Sequence, residues 1–161
     1  MTQKGRSGDA SNIVRLAAMD MLARREHSRH ELQEKLAQRF PDFSIEEVIV
    51  PVLERLSEEN LQSDERFVEA FVRYRSSRGN GPLKIAAELY PKKIAESLLK
   101  SALANAGDFN ALCLEALQKK AGSTHDVSVR ERMKWSRFLQ QRGFTTEQIR
   151  QAFRMMELDD E

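Results

Sequence analysis

A chain of 161 residues is long enough for one domain or a few small subdomains. Its 40% hydrophobic content can build a core, 7% aromatic content points to thin local cores, and a net charge of +1 does not by itself assign a nucleic-acid partner. The single cysteine, Cys113, excludes an internal disulfide framework and fits a reducing compartment, and no stretch approaches the roughly 18 apolar residues of a membrane span.

Helix formers dominate, with seven glycines and four prolines, so the composition predicts an all-α fold. Residues 1–12 are polar and lack the apolar run of a secretory signal; they read as a disordered leader on a cytoplasmic protein. A first helix is predicted from Ile13 to Arg25, where Val14, Ala17, Ala18, Met21 and Leu22 form one helical stripe. Ser28 and Glu31 make a capping box for a second helix lined by Leu32, Leu36 and Phe40. Ser44 and Glu47 make another, ahead of a stripe of Ile45, Val48, Ile49, Val52, Leu53 and Leu56. Pro51 sits inside that third helix, where it removes a hydrogen bond and crowds the preceding turn, so a kink is expected.

The centre of the chain reads helix, glycine-proline break, helix, basic turn, helix. Phe67, Phe71 and Tyr74 share one face of the first of these helices. Gly79-Asn80-Gly81 ends it, and Pro82 starts the next at a position whose amide has no helical partner. Ile85 and Leu89 line that short helix; Pro91 stops it; Ala95, Leu98, Leu99, Ala102 and Leu103 form the third stripe. Asp108 is positioned to cap a helix over 108–120, and a polar loop follows at 122–126. A long helix then carries Met133, Trp135, Phe138 and Leu139, with Gly143 placed to cap its end. Thr145 and Gln148 box the last helix, striped by Ile149, Ala152, Phe153 and Met156.

Leu36, Leu89 and Leu139 each stand near the end of a second helix, each followed by a turn and an amphipathic helix. That period predicts a tandem array of three three-helix units resembling helix-turn-helix modules, with an elongated shape. The boundaries read as 13–60, 61–106 and 107–156, followed by an acidic tail at 157–161.

The central motifs carry a family resemblance. Asp64-Glu65-Arg66-Phe67, Arg78-Gly79-Asn80-Gly81-Pro82, and Ile85 with Glu88-Leu89 resemble the central repeat of the RecX family, and the likeness extends over about residues 13–156. One departure is Lys92-Lys93-Ile94, where the family usually has Lys-Gly-Ile. The resemblance implies a regulator of the RecA recombinase. Such a protein lies along the groove of the RecA–DNA filament and hinders filament extension or ATP turnover without doing chemistry itself.

Chemistry-bearing patterns are absent at the usual spacings. His27, His30 and His125 have no neighbouring cysteine or paired acid to complete a metal site, and Gly79-Asn80-Gly81 is far from a phosphate-binding loop. Asp64, Glu65 and Glu69 suit the positive end of a helix dipole, and Cys113 suits a small core position. No catalytic residue, metal or cofactor is expected. Charge placement is more informative. Residues 60–156 carry seventeen basic and ten acidic side chains, whereas residues 1–59 carry nine and eleven. Arg73, Arg78, Lys84, Lys92 and Lys93 surround the central break and are the expected central filament contacts; Arg130, Lys134 and Arg137 share a face of the long helix and are the expected peripheral ones. Trp135, on another face, reads as core. The expected partner is the RecA filament, met by a monomer, with DNA contact open. The alternative is a direct DNA-binding protein of helix-turn-helix type, and the salt dependence of bare-DNA affinity separates the two.

Overall fold

The structure is a computed structural model and describes residues 3–122 and 128–159. Among the described residues there is no strand, and no helix is long and apolar enough to cross a membrane. Three helix triplets follow one another: α1 (Gln3–Arg24), α2 (Arg29–Arg39) and α3 (Val50–Glu58); α4 (Asp64–Ser77), α5 (Pro82–Leu89) and α6 (Glu96–Asn105); α7 (Phe109–Ala121), α8 (Val129–Gln141) and α9 (Thr146–Asp159). The chain divides into two units, one of Met1–Ala70 with Lys92–Ile94, the other of Phe71–Pro91 with Ala95–Glu161.

The predicted caps form as hydrogen bonds. Ser28 Oγ accepts the Glu31 amide at 3.1 Å, Ser44 Oγ accepts the Glu47 amide at 3.1 Å, and Asp108 accepts the Asn110 amide at 2.9 Å. At α9 both halves of the box close: Thr145 Oγ1 accepts from Gln148, and Gln148 Oε1 accepts from Thr145. Each satisfies helix-end donors that have no partner along the helix.

The first unit has a core of Val14, Ala17 and Ala18 from α1, Leu32 and Leu36 from α2, and Ile49, Leu53 and Leu56 around α3. Two expectations change here. Helix α1 begins at Gln3 rather than Ile13, so 3–12 is helical where a disordered leader was expected. Ala10 extends the buried stripe one turn ahead of Val14, and a helix already nucleated adds residues easily at its end. In place of the kink expected at a mid-helix Pro51, a π-helical turn over Ile45–Ile49, in which the Val50 amide reaches back to the Ile45 carbonyl, leads into α3, and Pro51 stands in the first turn of α3. Widening the helix gives the proline ring room at the carbonyl it would otherwise crowd. Ile45, expected in the stripe, is 41% exposed.

In the second unit Leu89, Leu139, Trp135, Phe144 and Phe153 are buried. Leu36, in the first unit, and Leu89 and Leu139 are all at most 1% exposed, so the three periodic leucines serve the same purpose in their triplets. Cys113 is buried on α7 in line with Phe109, Leu117 and Ala121, and burial raises its thiol pKa to about 11. Helix α4 is divided between the units: Phe67 and Val68 are buried in the first and Val72 in the second, whereas Tyr74 is 55% exposed, with the Arg78 guanidinium 5.2 Å from its ring centre. The acidic tail is in part helical. Helix α9 continues to Asp159, and Glu157 pairs with Arg132 at 2.7 Å. The predicted loop at 122–126 lies, from Ser123 on, outside the described residues, as do Asp160 and Glu161.

Gly81 and Gly143 form a main-chain clasp. The Gly81 amide donates to the Arg142 carbonyl at 2.6 Å, and the Leu83 amide donates to the Gly143 carbonyl at 2.9 Å. A Cβ on Gly81 would lie 2.5 Å from the Gly143 carbonyl carbon, and one on Gly143, which also has φ +93°, would run into Lys84 Cβ. Gly143→Ala should therefore lower stability by roughly 3 kcal/mol, from left-handed strain plus overpacking, read as a fall in the denaturation midpoint. Lys93 shows the converse. It holds φ +52°, a left-handed conformation that a glycine would take without strain. Lys93→Gly should raise stability by about 0.5–1 kcal/mol in the same measurement, the relief of strain exceeding the added chain entropy.

Candidate functional site

Seven cations of the second unit line two adjoining concavities. The first, about 550 Å³, is lined by the last turns of three helices: Arg78 just beyond α4, Lys119 and Lys120 on α7, and Arg142 just beyond α8. The second, about 1060 Å³, runs along α8 and is lined by Arg130, Lys134 and Arg137 beside Glu131, Val129 and Met133. Lys120 and Phe138 line both. Spacings of four and three residues place the three α8 cations on one face. Phe138 is the anchor: Lys120 Nζ is 4.8 Å and the Arg142 guanidinium 5.2 Å from its ring centre. Trp135 points into the core at 3% exposure, as its register predicts.

The predicted site residues meet different surroundings. Arg78, Arg130, Lys134 and Arg137 line these concavities. Arg73 is exposed on α4, and half-buried Lys84 has its Cβ at the Gly143 main chain. Arg75 is committed to Glu88 at 2.5 Å. Lys119 and Lys120 are not among the predicted site residues; what marks them is Phe138, distant in sequence, beneath Lys120.

Lys92 and Lys93 belong to the first unit, and Lys92 has an internal partner. Its ammonium binds the buried Glu31 carboxylate at 2.5 Å, and Arg25 approaches the same carboxylate at 2.8 Å. Burial pushes Glu31 up, but the hydrogen bonds from Lys92 and Arg25 outweigh it and hold the carboxyl below its ordinary range. His27 lies beside this pair. Its Nδ1 is 3.0 Å from the Arg25 carbonyl, and its Nε2 is 3.2 Å from Lys35 Nζ. A ring that donates from Nδ1 and accepts the lysine proton at Nε2 is neutral, and desolvation lowers its pKa accordingly. Asp64 accepts the Arg29 amide at 2.8 Å and a Gln62 side-chain N–H at 3.0 Å, so it ties α2 to the start of α4. His30 pairs with Glu34 at 3.1 Å, and His125 lies outside the described residues. Among the described residues no three His, Cys, Asp or Glu side chains are grouped to hold a metal ion.

Comparison with known proteins accounts for nearly the whole chain. Residues 15–56, 63–103 and 108–153 match, in order, the first, second and third three-helix domains of RecX. The chain is 42% identical over 156 residues to the regulatory protein RecX of Halorhodospira halophila, covering 96% of this chain and 95% of that one. It is 39% identical over 153 residues to the regulatory protein RecX of Pseudomonas putida strain GB-1, covering 94% and 96%. The crystal structure of RecX from Lactobacillus salivarius has the same fold, with a TM-score of 0.82 at 24% identity over 94% of this chain and 99% of that one.

The polar cluster of the first unit predicts a pH dependence. His27 has a folded pKa below its unfolded value, so its contribution is full above pH 6.5 and declines as pH falls toward the lowered value. Glu31 acts in the same direction further down: its contribution is full above its ordinary pKa of 4.5 and is lost as pH falls through the lowered one. Denaturant titrations at descending pH should show stability falling below pH 6.5, and His27→Gln should flatten the upper part of that decline while leaving the part below pH 4.5.

Proposed function

The chain belongs to the RecX family, and on that premise we propose that it is a non-catalytic cytoplasmic regulator that binds the RecA–DNA filament and hinders its extension, ATP turnover and strand exchange. The observation that carries this reading is the gathering of cations on the second unit: Arg130, Lys134 and Arg137 on α8, with Glu131 among them, line one concavity, and Lys120 and Phe138 join it to the cleft of Arg78 and Arg142. Apolar Val129 and Met133 stand exposed among those cations, a mixture suited to a partner with both charge and contact area. Arg73, Lys84 and Lys93 add to the proposed contacts, while Lys92 contributes less because Glu31 already holds its charge.

Binding by several moderate patches gains strength from their linkage, without any single tight contact. A regulator of this kind needs no reactive group, and the relatives named above are regulatory proteins.

Arg130→Glu with Arg137→Glu should weaken inhibition of RecA ATPase by roughly tenfold, about 1.4 kcal/mol of lost complementarity. Both side chains are exposed, so helicity and melting should not change. Undiminished inhibition would remove this face from the interface. Tight, steeply salt-dependent binding to bare DNA without a preference for RecA-coated DNA would favour a direct DNA-binding protein instead.

A further inference from the structure

The smaller concavity has a charge that ordinary helix-end chemistry does not use up. Basic residues in a last turn are usually accounted for by the helix dipole, whose carbonyl end carries about half a negative charge. Three such ends contribute to this cleft, roughly one and a half negative charges in all. Against them stand four cations, Arg78, Lys119, Lys120 and Arg142, with Glu115 the only carboxylate among the described residues of the lining. Glu115 is already paired with Lys119 at 2.9 Å. The balance is an excess of about one to two positive charges, which matches one phosphoryl group better than a polyphosphate.

Shape adds to charge. The two cations over Phe138 and the guanidinium over Tyr74 are held by ring faces, so part of their ordering is complete before a ligand arrives. Leu112 and Ala116 line the cleft from the middle of α7. A volume of about 550 Å³ exceeds what a bare phosphate fills and falls in the range of small-molecule sites.

We propose that this cleft binds a single nucleotide unit, its phosphoryl group on Lys119, Lys120, Arg142 and Arg78 and its base against Leu112 and Ala116. The unit comes either as a free mononucleotide or as one link of a DNA strand; the recognising chemistry is the same. The inference goes beyond the regulator reading, and its test contains no RecA, so either can fail alone.

The test is an amide chemical-shift titration of the full chain with thymidine 5′-monophosphate, oligothymidylate and inorganic phosphate in parallel. Saturable shifts confined to residues 76–79, 112–120 and 138–142 are expected with the mononucleotide. Lys119→Gln with Lys120→Gln, both exposed positions, should weaken that binding about tenfold with melting unchanged. If the oligonucleotide binds at the same amides and the mononucleotide does not, the site stands as one that reads a strand. An equal response to inorganic phosphate and mononucleotide, or no saturable shift with any ligand, overturns the proposal.

Discussion

Gly81 and Gly143 allow two turns of the chain to meet main chain to main chain, and the start of α5 is held against the end of α8 by that meeting. Hydrogen bonds of 2.6 and 2.9 Å join the start of α5 to the end of α8 across a contact with no space for a side chain. Arg78 precedes Gly81 by three residues, and Arg142 immediately precedes Gly143. The clasp therefore also fixes the turns that carry two of the cations lining the cleft. Structure and candidate chemistry share one constraint here.

The first unit is tied by different means. Lys92 reaches Glu31 across 61 residues of sequence, and Arg25 and His27 crowd the same carboxylate. A buried carboxylate is expensive to desolvate, and only its close partners keep it ionised. Removing either cation would leave the remainder of that cost exposed. Main-chain clasp and side-chain cluster thus differ in kind: one depends on the absence of side chains, the other on their charge.

What was legible in the sequence was local. Ser28, Ser44, Asp108 and Thr145 act within three residues of themselves, and each forms its cap. The period carried by Leu36, Leu89 and Leu139 marks equivalent buried positions because a leucine there must fill the same small core each time. Pro51 announced a disturbance whose form, a π turn, depends on how the rest of the helix packs. Distant pairings left no such trace. Nothing in the order of residues joins Lys92 to Glu31, Gly81 to Gly143, or Lys120 to Phe138. The basic residues could be counted beforehand, but only the fold separates Lys92, engaged internally, from Arg137, which faces outward. Lys93 is an intermediate case: the resemblance read from the sequence marks its position, and the backbone there takes the left-handed turn that suits a glycine although the residue is a lysine.

Cys113 gives the second unit a property unrelated to its charges. It is the only thiol in the chain, sits fully buried on α7, and stays protonated far above neutral pH. A thiol-directed reagent needs the thiolate and a path to it, so it must wait until α7 loosens from its neighbours. The rate at which such a reagent is consumed is therefore a clock for breathing of that core, built into the natural sequence with no label added.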